Sequence, residues 1–96
     1  MALVRRTLVL FAALLVSANA AAQQAKMANA CAAEIEKAET RIAEARKAPE
    51  YRSEKGRHVL STADRWVNQA RKHAAKGESR NCVSAAQKGR MQLSAR

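Results

Sequence analysis

Aromatic side chains are nearly missing from this chain: Phe11, Tyr51 and Trp66 are the only three. Binding of single-stranded nucleic acid by base stacking needs rings interleaved with cations, so that mode is not expected. Histidine is confined to His58 and His73. On one helix their spacing amounts to roughly 22 Å, too far to share a metal ion. Cysteine occurs only as Cys31 and Cys82, without the close-set spacing of zinc ligands. The chain has no G-x-S-x-G, H-E-x-x-H or C-x-x-C motif and no glycine-rich phosphate loop. With few glycines and a core made largely of alanine, it offers no substrate-sized pocket. Neither catalysis nor a metal or other cofactor is therefore expected. Long apolar runs are missing too. The longest, TLVLFAALLV at 7–16, is about half of the ~20 residues that a transmembrane helix needs.

That run has another meaning. Arg5 and Arg6 precede it, and Ser17-Ala18-Asn19-Ala20 follows it with an A-x-A site. A basic head, an apolar stretch and a small-residue exit form the pattern of a secretory signal peptide. The general secretory route fits better than the twin-arginine one, because a very apolar run follows the arginines at once. Cleavage is expected after Ala20, with Ala22 as second choice. Residues 1–20 are then a signal peptide and 21–96 a mature helical domain, periplasmic or secreted. In an oxidising compartment two cysteines predict one intramolecular disulfide, Cys31 to Cys82. Free buried thiols and pairing between chains are the alternatives. A domain of about 76 residues has a core worth only a few kcal/mol and gains from a staple. Closing a loop of about 50 residues contributes roughly 4 kcal/mol in the chain-entropy view.

Periodicity predicts three helices. In the first, over 24–47, Ala28, Ile35 and Ile42 alternate with Cys31, Ala38 and Ala45 as a seam of small and branched apolar residues. Glu34, Glu36, Lys37, Glu39, Arg41 and Glu44 fall off it, and residues 21–23 read as a fraying lead-in. Pro49 ends this helix. Ser53 is a candidate N-cap for the second, which is expected to begin before Gly56 and to be secure from 59 to 75. Its apolar stripe is Val59, Leu60, Ala63, Trp66, Val67, Ala70 and Ala74. Gly77 is the expected stop, in a left-handed conformation. The third helix follows, with Cys82, Ala85, Ala86, Gly89 and Leu93 facing inward. Both cysteines lie on apolar faces near one end of an up-down-up layout. The expected fold is therefore all-α: a small three-helix up-down-up bundle, stapled by one disulfide, preceded by a signal-peptide helix and monomeric.

Between Leu60 and Leu93 the pattern L-x-x-A, then G-x-x-x-x-C-x-x-x-A, resembles the small-residue spacing of tetratricopeptide-type helix pairs. It also resembles the small alanine-rich helical-hairpin proteins of bacterial envelopes. The resemblance covers about a third of the chain. It implies closely packed helices and a protein-binding surface, and it carries over no catalytic residue.

Charge is the strongest functional signal. The formal net charge is +10, or +8 without Arg5 and Arg6. Residues 21–50 balance five Lys/Arg with five Glu, whereas residues 51–96 set eleven Lys/Arg against only Glu54, Asp64 and Glu78. The whole excess of +8 therefore belongs to residues 51–96. Arg57, Arg65, Arg71, Lys72, Lys76, Arg80, Lys88 and Arg90 are the candidate anion- or partner-binding residues, and a lopsided field of this kind favours anionic partners. Outside the cytoplasm these are an acidic envelope protein, anionic lipid or acidic polysaccharide, rather than nucleic acid. Asp64, His58 and His73 read as surface groups. Trp66 reads as the core's anchor, or else as a partly exposed binding anchor beside Arg65, and Tyr51 is a second such candidate. The leading expectation is an exported, non-catalytic binding protein. The alternatives are a membrane-active protein that lays an amphipathic helix on anionic lipid and a redox protein that uses the cysteine pair.

Overall fold

The structure, a computed structural model, describes the backbone of residues 2–94 and the side chains of residues 20–93. The side chains of the expected signal segment up to residue 19 lie outside that description. Among the described residues there are three α-helices, one short 3-10 helix and no strand: α1 Ala2–Lys47, the 3-10 helix Pro49–Tyr51, α2 Glu54–Ala75 and α3 Ser79–Ser94.

The end of α1 and both ends of α2 follow the sequence signals. Ala48, before the proline, is extended at φ −79° and ψ 133°, as the clash with a following proline ring requires. The Ser53 hydroxyl accepts the Gly56 N–H at 3.0 Å and caps α2. At the far end the Glu78 N–H donates to the His73 carbonyl at 2.9 Å and the Gly77 N–H to that of Ala74 at 3.1 Å. These paired bonds form a Schellman turn, with Gly77 at φ 77°. A Cβ on Gly77 would meet nothing within 4 Å, so Gly77→Ala should act through backbone strain alone. Urea denaturation should show a loss of about 1 kcal/mol; an unchanged midpoint would mean that the turn tolerates another geometry.

The start of α1 departs from expectation. Residues 21–23 do not fray but continue the helix upstream. AAAQQA at 20–25 contains only good helix formers and no capping or breaking residue, so nothing in the chain stops the helix there.

The core is small and rich in alanine. Of the buried apolar residues described, Ala38, Ala45, Ala63, Ala70, Ala85 and Ala86 make up half. Little area is buried per residue, so stability depends on close approach and on the staple. Two clusters fill the interior. One joins Cys31 and Cys82 with Ala70, Ala85 and Ala86; the other joins Ala38, Ile42, Ala45, Tyr51, Ala63, Val67 and Leu93. Ile35 packs against both. Cys31 and Cys82 are paired at disulfide distance, with their Cα atoms 5.6 Å apart. Every core residue described lies between Cys31 and Leu93, so a chain that begins at Ala21 keeps all of them.

Three positions correct the expected faces. Ala28 is exposed, because it lies about a turn before the bridge, beyond the last layer of buried residues. Ala74 is exposed for the mirror reason: it follows Ala70, the last core residue of α2. Tyr51 is no surface anchor; it is buried, and its hydroxyl donates to the Leu93 carbonyl at 3.1 Å.

Candidate anion-binding surface

Three ion pairs tie α1 to the other two helices and decide which cations remain available. Arg46 Nη2 meets Asp64 Oδ2 at 2.7 Å, Arg71 meets Glu39, and Arg90 Nη2 lies 3.3 Å from Glu34 Oε2. A step of seven along α1, from Glu39 to Arg46, is matched by a step of seven back along α2, from Arg71 to Asp64. Asp64 is a surface charge, as expected, with its side chain 42% exposed, but it is paired. Its partner lies eighteen residues away, on another helix. Glu34 departs from its expected surface place: its side chain is only 15% exposed, between Arg90 and, at 3.6 Å, Lys37.

These contacts orient α2. Ala63, Val67 and Ala70 face the core, and Asp64 and Arg71 turn toward α1. By helical phase Arg65, Lys72 and Lys76 fall opposite the buried stripe, with Arg57 at its border. All four are exposed. Their neighbours on that face are His58, Ser61, Asn68 and Gln69, so no acid stands among them along the body of the helix. Among the described residues none of the four side chains has an ion-pair or hydrogen-bond partner, and the charge of Lys76 acts on Glu78 without pairing with it. Arg80 is likewise exposed on α3.

The structure thus divides the eight candidate cations. Arg57, Arg65, Lys72, Lys76 and Arg80 stand in solvent, whereas Arg71 and Arg90 are held by Glu39 and Glu34. Lys88 is exposed too, but its Nζ lies 4.9 Å from the centre of the Trp66 ring, a cation–π contact between α3 and α2. Trp66 itself is half-buried against the bridge cluster. It packs against the core, as expected of an anchor, without being fully buried.

The turn between α2 and α3 carries the remaining charge contact. His73 Nδ1 lies 3.0 Å from Glu78 Oε1, so His73 is no isolated surface group. The hydrogen bond to His73 is the main cause of a lowered Glu78 pKa; partial desolvation opposes it, and the charges of His73 and Lys76 add to the lowering. A carboxyl whose folded-state pKa is depressed stabilises the fold above its ordinary pKa, and loses that effect as pH falls through the lowered value. Glu78→Gln should therefore lower the melting midpoint at neutral pH, with the difference from wild type vanishing in acid. A difference that grows in acid would contradict the contact.

A surface depression of about 330 Å³ lies beside Tyr51, but Arg41 there is offset by Glu44 and Glu50. It offers no field of one sign, unlike the outer face of α2. Sequence reasoning missed the interhelix pairs because each partner is remote. The usable signal was the matched seven-residue spacing of opposite charges, Glu39 with Arg46 and Asp64 with Arg71. Compared with protein-family models, curated proteins and solved structures, the chain matches none.

Proposed function

We propose that this is a small exported protein that acts by binding rather than by catalysis, through the cationic surface of α2 and α3, to an acidic envelope protein or to anionic surface material. One observation carries the reading. Glu34, Glu39 and Asp64 are engaged elsewhere, in ion pairs between helices, while Arg65 and Lys72 stand in solvent without an ion-pair partner and Lys76 has near it only Glu78, which is itself paired with His73. A field of one sign on a rigid body steers anionic partners and holds them without a deep pocket.

The rest of the reading supports that use. The signal pattern of residues 1–20, with cleavage after Ala20, would deliver residues 21–96 to the periplasm or the exterior. The helices run up, down and up. In favour, Cys31 pairs with Cys82 near the starts of the packed parts of α1 and α3, while Ile42 and Leu93 share a cluster near their ends. The pairing of Glu39 with Arg71 and Arg46 with Asp64 sets α2 against α1. In this arrangement residues 21–50, with five Lys/Arg against five Glu, form a charge-balanced spine that holds the basic helices in place.

The test is a pull-down from envelope extract at low and high salt, with wild type and with an Arg65→Gln, Lys72→Gln, Lys76→Gln variant. Partners should be retained at low salt by wild type alone and released at high salt. Partners kept equally by the variant, or indifferent to salt, would refute the reading.

A further inference from the structure

We infer that the face formed by α2 and α3 on the side away from α1 docks, as a closed bundle, on the phosphate-bearing surface of an anionic bilayer; this rests on the functional reading above and names its partner. Arg65 and Lys76 are eleven residues apart, three helical turns, and so stand in one line on α2. Beside that line lies Trp66, and across the groove lies Lys88 of α3, over the Trp66 ring at 4.9 Å. Three residues further along α3, Met91 is 62% exposed, the one large hydrophobic residue exposed among those described. Glu78, in the turn, is paired with His73 and also lies in the field of Lys76. Three cations spread over two helices, an indole edge and an exposed thioether thus share one side of the molecule.

A planar anionic surface suits this set better than the alternatives. Phosphates at headgroup depth would meet Arg65, Lys76 and Lys88, while Met91 and the edge of Trp66 would reach the boundary with the acyl chains, where amphipathic rings are favoured. A soluble linear polyanion would use the cations and leave Met91 in water. A second copy of the chain would have to offer an acidic face, but α1 mixes Glu36 and Glu44 with Lys37 and Arg41. Contact would remain superficial. Ala63, Val67 and Ala70, the apolar stripe of α2, are sealed against the other helices, and the Cys31–Cys82 pair holds the bundle closed.

Because Trp66 is the single tryptophan, its emission reports on this face alone. The oxidised chain from Ala21 is mixed with vesicles of phosphatidylglycerol and phosphatidylcholine, with pure phosphatidylcholine vesicles, and with inorganic polyphosphate. Expected are cosedimentation with the anionic vesicles only, a blue shift of Trp66 emission and no release of trapped dye. Arg65→Gln, Lys76→Gln and Lys88→Gln together should weaken vesicle binding at least about tenfold, and Met91→Gln should weaken it severalfold while leaving polyphosphate binding unchanged. Polyphosphate binding without vesicle binding would overturn the bilayer as partner and leave the functional reading standing. Loss of both would overturn both. Vesicle binding with unchanged Trp66 emission would overturn this choice of face, and dye release would overturn docking as a closed bundle.

Discussion

Cys31→Ser is expected to lower the stability of the oxidised protein by about 4 kcal/mol, the chain-entropy value for a loop of this length. Cys82→Ser should cost nearly the same, since either change opens the same loop, between residues separated by 51 positions in the sequence. The double variant should then lie close to either single one. A loss of this size approaches the whole stability of a domain this small, and the core gives a reason to expect it. Half of the buried apolar set is alanine, so the bridge carries a share that leucines would carry elsewhere. Cys31 and Cys82 are both buried, and an unpaired serine hydroxyl there adds a desolvation cost. Urea unfolding of the four proteins, with thiol titration of the wild type, checks this. Two free thiols in the wild type, or single variants that differ widely, would remove the staple.

The second large effect lies at the other end of the bundle. Gly56→Ala should destabilise by about 3 kcal/mol, toward the upper part of the usual range for overpacking. A Cβ built on Gly56 would stand 2.5 Å from Tyr51 Cα, 2.7 Å from its carbonyl carbon and 2.9 Å from the Glu50 carbonyl oxygen. These are backbone atoms of the 3-10 helix and cannot swing aside like the tip of a side chain. The 3-10 helix would have to lift, which would also pull the Tyr51 hydroxyl from the Leu93 carbonyl. The gain of about 1 kcal/mol in helix propensity on replacing glycine offsets only part of this. Gly89→Ala is the control. Its Cβ would lie 3.1 Å from the Ala63 carbonyl oxygen and 3.2 Å from Trp66 Cβ, so a small separation of α2 and α3 relieves it and the propensity gain nearly cancels the cost. Equal losses at the two glycines, measured by urea denaturation, would show that the approach of the 3-10 helix is not what Gly56 serves.

Much of this architecture was legible in the sequence because it is local. The inward set of α3, Cys82, Ala85, Ala86, Gly89 and Leu93, follows from period alone, and each member is buried. Ser53 and Gly77 mark the ends of α2 through cap chemistry that needs no tertiary partner. The cysteine pairing was legible from the even count and from the compartment that the expected signal peptide implies. What was not legible depends on contacts between segments. In the sequence Gly56 marked only where the second helix should already have begun, whereas its purpose appears only with Tyr51 packed on it. Asp64 read as solvated because Arg46 is eighteen residues away. Two of the eight candidate cations, Arg71 and Arg90, are engaged by acids of α1 that no spacing within α2 or α3 could indicate. The outer face of α2 was legible as basic, but its freedom from acids on neighbouring helices was not.

Whether the position of the charge or merely its amount drives binding is decided by two variants of equal net charge. One carries Arg65→Gln, Lys72→Gln and Lys76→Gln on the outer face of α2; the other carries Lys26→Gln, Arg41→Gln and Lys47→Gln on exposed positions of α1. Their affinities for inorganic polyphosphate are measured by calorimetry at physiological ionic strength, where exposed charges act over about 8 Å. The α2 variant should bind at least about tenfold more weakly than wild type, a difference of about 1.4 kcal/mol, and the α1 variant should stay within a factor of about two. Equal losses in the two variants would mean that net charge alone attracts the polyanion, and that the outer face of α2 is not a binding surface.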